Sequence, residues 1–104
     1  MQNPAPSILV AAAFLALAGA ATAQSTFETN VVRHGPYNTA TPLPSANPVE
    51  CRDLCIADPQ CVTWTYYKPG LQHRNALCMT RHFVADPNPS TCCVSGIVPS
   101  RVKK

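Results

Sequence analysis

Six cysteines and three histidines are the side chains of this sequence best equipped for chemistry. The cysteines are Cys51, Cys55, Cys61, Cys78, Cys92 and Cys93; the histidines are His34, His73 and His82. Thiolates and imidazoles together make zinc sites, but the spacings Cys-x3-Cys and Cys-x5-Cys do not repeat as the paired knuckles such sites use. A single nucleophilic cysteine fits poorly in a chain where six can oxidise. No Gly-x-Ser-x-Gly, His-Glu-x-x-His or glycine-rich phosphate loop occurs, and nothing marks a catalytic pair among the five acidic residues. We therefore expect no catalytic residue, no metal and no cofactor, and read the protein as not an enzyme.

The compartment decides what the cysteines do. Ile8 to Ala18 is an apolar run, followed by Gly19 and small residues. Ala21-Thr22-Ala23 fits the small-x-small pattern of signal-peptide cleavage, which places the cut before Gln24. The run is short of the about 20 apolar residues that span a bilayer. Residues 1–23 are read as a signal peptide and 24–104 as the mature chain, secreted, or periplasmic if the source is bacterial, with no membrane span. The mature chain is one small domain, of a size that needs disulfides to supplement its core. An even number of cysteines in a short exported chain points to an oxidised framework, against structural zinc. The net charge of +3 is scattered, apart from Arg74, Arg81 and the tail Arg101, Lys103 and Lys104. Nucleic-acid binders carry a denser basic stripe, so nucleic acid is excluded and a slight preference for anions is left.

These residues must be held by short elements, because prolines punctuate the chain. Phe27 to Arg33 has the composition of a strand, ended by Gly35-Pro36; Asn38 to Ser45 reads as an extended loop. A helix is expected over Pro48 to Ala57. Asn47 is its N-cap, Pro48 suits the first helical position, Glu50 completes a capping-box pattern, and Asp58-Pro59 stops it. Cys61 to Tyr67 alternates as a strand, with Val62, Trp64 and Tyr66 on one face and Cys61, Thr63, Thr65 and Tyr67 on the other. Lys68 to Asn75 is a turn, Ala76 to Phe83 a second strand, Asp86 to Ser90 a loop, and Cys92 to Val98 a last strand. One helix with four or five antiparallel strands makes an α+β domain.

Cys51 and Cys55 lie four apart on the helix and share a face. Their Cβ atoms are then about 5–6 Å apart, beyond the roughly 3.8 Å of a direct bridge, so each must reach another element. Cys61 and Cys78, on the two strands that follow, are within the reach of such a pair.

The run Cys51-Arg52-Asp53-Leu54-Cys55, then Asp58-Pro59-Gln60-Cys61-Val62-Thr63-Trp64-Thr65-Tyr66, then Cys78-Met79-Thr80-Arg81, resembles the PAN/Apple domain family. Gly35-Pro36-Tyr37 is similar to the family's early Gly-x-Tyr segment, and Ser95-Gly96 to its late Ser-Gly. The resemblance spans about 27–98. It implies a disulfide-stabilised antiparallel β-sheet curled around one α-helix, with an inner bridge Cys55–Cys61 and an outer bridge Cys51–Cys78. The family's third bridge starts from a cysteine ahead of the helix, and this chain has none there. Cys92 and Cys93 are therefore unassigned: a vicinal bridge, a link between two chains in a homodimer, or free thiols. Adjacent strand residues face opposite ways, which makes a vicinal bridge awkward in a regular strand.

The resemblance implies a recognition module that binds protein or carbohydrate through its surface. By alternation Trp64 and Tyr66 belong to the core, which leaves Tyr67 as the surface aromatic. Gln72, His73, Arg74 and Arg81 lie in or beside the hairpin turn, and loops on rigid scaffolds are where binding resides. Tyr67 beside cations suits an acidic protein segment or a glycan. The rival readings are a disulfide-rich inhibitor or toxin-like protein acting on an exported enzyme, and a structural disulfide-linked dimer.

Overall fold

The computed structural model describes residues 23–103, so the apolar leader lies, except for Ala23, outside the described residues. The helix begins where its caps put it. Asn47 Oδ1 accepts the Val49 N–H at 3.0 Å, and Pro48 occupies the first turn of α1 (Pro48–Ala57). The capping box is not reciprocal. The Glu50 carboxylate accepts Ser45 Oγ at 2.7 Å instead of returning to the cap, because the turn before the helix offers it a nearer donor. Asp58 closes the helix as expected, with its N–H donated to Cys55 O.

Five strands surround this helix in sequence: β1 (Glu28–Arg33) and β2 (Thr39–Pro42) before it, β3 (Thr63–Tyr67), β4 (Leu77–Arg81) and β5 (Pro87–Ile97) after it. They form one antiparallel sheet in the order β1-β5-β3-β4-β2. β3 is central, and all five of its side chains are buried. One face carries Trp64 and Tyr66 against Cys51 and Cys55 of α1, with Leu43, Val94 and Val98 completing the core. The other face carries Thr63, Thr65 and Tyr67. Its hydroxyls are satisfied within the fold: Thr63 Oγ1 donates to Phe83 O at 2.6 Å, and Thr65 Oγ1 lies 2.9 Å from Ser95 Oγ. This is the pairing that buried polar groups require.

Two segments read as loops are strands. Thr39 to Pro42, within the expected loop Asn38 to Ser45, pairs with β4 as the outermost strand. Pro42 ends it, where a missing N–H costs no ladder bond. The expected loop Asp86 to Ser90 falls mostly in the first half of β5, with Pro89 opposite Val31 and Pro87 opposite Arg33. That half lies beyond the reach of β3, which pairs only with Cys93 to Ile97. Its prolines therefore sit in locally two-stranded sheet with one side free, where proline is tolerated.

The two bridges implied by the resemblance are present: Cys51–Cys78 ties α1 to β4, and Cys55–Cys61 ties it to the entry of β3. Cys92 and Cys93 are joined to each other, with Cα atoms 3.7 Å apart. The register explains how. Thr29 pairs with Val94 and Val31 with Pro89, so β1 advances two positions while β5 advances five. Ser90 to Cys93 form a bulge, opposite Asn30 in the left-handed region at φ 60°. A bulge breaks the alternation of side chains that makes adjacent cysteines diverge. All six sulfurs are bonded within the chain, Cys92 and Cys93 as the vicinal bridge among the three alternatives.

Candidate functional site

The turn between β3 and β4 is the segment on which sequence reading placed the binding residues. Gly70 takes φ 91°, a value an L side chain rarely adopts, and its N–H donates to His73 O at 2.7 Å, closing the loop on itself. His73 is half-buried because its ring stands edge-on against Tyr67, with centroids 5.0 Å apart and planes at 84°. This T-shaped contact fixes the loop to the sheet. Gln72 and Arg74 are exposed on either side of His73. Leu71, which the sequence reading passed over, is 62% exposed beside them. Its signal was an apolar residue within a polar turn.

Tyr67 and Arg81 do not belong to that surface. Tyr67 is only 7% exposed and packs with Val32, Cys92 and Cys93, flanked by Leu77 and Met79. Period-two alternation places it on the far face, but that face is covered by β1 and the β5 bulge, so facing away from the helix does not expose it. Arg81 is 1% exposed. Its Nε donates to Gly35 O at 3.2 Å and Pro36 O at 3.1 Å, and its Nη1 to Thr65 Oγ1 at 3.4 Å. Burial lowers its pKa, opposed by the charge interaction and hydrogen bond with the Tyr67 phenol. Both residues are support for the sheet and the Gly35 turn. The structure thus brings Gln72, His73 and Arg74 together at the surface, with Tyr67 beneath them.

Other basic side chains are also taken up internally. Arg33 grips Glu28 with two bonds of 2.8 and 2.7 Å and donates to Ala85 O at 2.6 Å. The bond to Glu28 raises the Arg33 pKa, against the effect of burial. Arg101, from the 3-10 turn Pro99–Arg101, donates to four carbonyls at and beyond the end of α1: Cys55, Ile56, Asp58 and Cys61, at 2.8–3.0 Å. The slight basic character of the chain is thus partly interior architecture, and Arg74 is the exposed cation beside Gln72 and His73 in the β3–β4 loop.

Two shallow grooves flank the fold. One lies between β2 and α1, walled by Pro42, Leu43, Pro44 and Leu54, with Glu50 and Asp53 at its rim. The other is formed by Val62, Phe83 and Val84 beside His82 and Lys103, and His82 Nε2 is 3.5 Å from Asp58 Oδ2. Among the described residues, no cluster of His, Cys, Asp and Glu is arranged to hold a metal ion.

The family model for the PAN domain matches residues 32–79. That stretch runs from the end of β1 through β4 and contains both bridges between the helix and the hairpin. Over this stretch the chain is similar to the PAN domain. No curated protein and no solved structure matches it. PAN domains are protein- or carbohydrate-binding modules found in extracellular proteins, and the family is one of binding rather than catalysis. The disulfides fit an oxidising compartment. No helix among the described residues is long and apolar enough to cross a membrane.

Proposed function

We propose that this PAN domain is an exported, non-catalytic recognition module, and that it binds protein or carbohydrate through the loop between β3 and β4. In this reading residues 1–23 are the export signal, 24–104 the mature chain, and about 27–98 the domain. Gln72, His73 and Arg74 make the polar contacts and Leu71 the apolar one. The observation that carries the reading is the loop itself. It is exposed at Leu71, Gln72 and Arg74, yet anchored by the His73 ring on Tyr67 and by the Gly70–His73 hydrogen bond. A loop fixed before binding loses less conformational entropy when a ligand arrives. Arg74 together with an amide and an apolar side chain suits carboxylate-bearing partners, whether an acidic peptide segment or a uronic-acid glycan.

The test is binding of the wild-type chain and of Gln72→Ala/Arg74→Ala, side by side, to a glycan array and to immobilised acidic peptides. The double variant should lose about tenfold in affinity or more, as expected for one or two lost polar contacts, while its Tm stays unchanged. Undiminished binding by the double variant would exclude the loop as the site.

A further inference from the structure

The first residues of the mature chain carry a second piece of chemistry. Ser25 Oγ accepts the Trp64 indole N–H at 2.7 Å. Thr26 follows: its N–H donates to Ile97 O at 2.9 Å, and its Oγ1 accepts the Ile97 N–H at 2.8 Å. Gly96 makes room for this strap, since a Cβ there would overlap both Thr26 O and the Trp64 ring. Gln24 lies just ahead of these anchors and is exposed. It lines a recess together with Ala23, Ser25, Arg52, Asp53 and Ile56.

We propose that residue 24 of the mature chain is converted to pyroglutamate. The inference rests on the reading that export removes residues 1–23, which leaves the α-amine on Gln24. That nitrogen is one five-membered ring away from the side chain's own amide carbon. The lone pair of the neutral amine attacks Cδ, the N–Cδ bond forms, the Cδ–Nε2 bond breaks, and Nε2 leaves as ammonia carrying the proton lost by the amine. The product is a neutral lactam, and no oxidant or other reactant is needed. An α-amino group titrates near neutrality, so roughly a tenth or more of it is the free nucleophile at pH 7.

The surroundings favour the closure. A carboxylate facing the amine would hold it as an ammonium, but Asp53 is already engaged by Arg52 at 3.0 Å. Gln24 is exposed, so its side chain can turn onto its own backbone while Ser25 stays bound to Trp64.

The experiment is to express the full chain in an exporting host and map the N-terminal peptide by mass, both fresh and after several days at neutral pH. Gln24→Ala serves as the variant that keeps a free amine. The expected result is a chain beginning at residue 24, lighter by one ammonia, resistant to an ordinary aminopeptidase and opened by pyroglutamyl aminopeptidase; the Gln24→Ala chain should be trimmed normally. A chain that begins at Gln24 and keeps its ammonia after incubation overturns the cyclisation while leaving the export reading intact. A chain that begins elsewhere overturns the export reading and the cyclisation together.

Discussion

A guanidinium drawn out of water must replace it with acceptors of fixed position, as buried Arg33 and Arg81 and part-buried Arg101 do. Arg101 gathers four carbonyls, including Cys55 O and Ile56 O at the end of α1. It thereby satisfies groups that a helix terminus leaves open, and it places a cation at the negative end of the helix dipole. Arg101→Met should cost about 2–3 kcal/mol in urea unfolding, the range for hydrogen bonds to a charged group. Arg101→Lys should recover less than half of it, because an ammonium cannot span all four carbonyls. Tyr66 gives a second test. Burial, and then the charge of Glu50, raise its pKa above the ordinary 10.0. A proton held more tightly when folded stabilises the fold in full below the unfolded value. That stabilisation is lost as pH rises from about 10 through the folded pKa. Stability curves measured from pH 9 upward should therefore fall more steeply for wild type than for Tyr66→Phe. None of these roles was legible beforehand, because a carbonyl brought in from another element leaves no mark near the arginine in sequence.

At the scale of elements, the bridges do unequal work. Cys51–Cys78 closes a separation of 27 residues and Cys55–Cys61 one of 6. Loop entropy assigns them about 3.5 and about 2 kcal/mol, and less than about 1 kcal/mol to the adjacent pair Cys92–Cys93. Paired Cys→Ala variants unfolded in guanidinium should rank in that order: Cys51/Cys78 most destabilised, Cys92/Cys93 least. The helix was readable because its caps are local: Asn47, Pro48 and the Asp58-Pro59 stop lie next to the residues they act on. β2 and the proline half of β5 were not readable. Proline argues against a central strand, and only the sheet order shows that these segments lie at an edge or have a free side. The Cys92–Cys93 bridge was left open for the same reason, since it needs the bulge created by the shifted register against β1.

For the whole molecule, intramolecular pairing of every cysteine has a direct consequence. The protein should run as a monomer without reductant, with mass-mapped bridges 51–78, 55–61 and 92–93. A band at twice the mass that disappears with dithiothreitol would contradict the pairing of Cys92 with Cys93. The surface expected of the proposed binding residues was half legible at this scale. Gln72, His73 and Arg74 lie together on the loop, as their turn composition indicated, whereas Tyr67 and Arg81 are under cover. Alternation reports which face a side chain takes; it does not report whether another element covers that face.

By itself the sequence determined the helix, the central aromatic strand, the hairpin turn and the family to which the cysteine spacing points. Each rests on neighbours within a few residues, where capping, alternation and turn chemistry act. The tertiary structure alone decided the far-face cover over Tyr67, the carbonyls that Arg81 and Arg101 satisfy, and the bulge that closes Cys92 on Cys93. Those outcomes join residues as distant as Arg101 and Cys55, or Val31 and Pro89. Contacts of that span form only when the sheet assembles, and no local propensity encodes them.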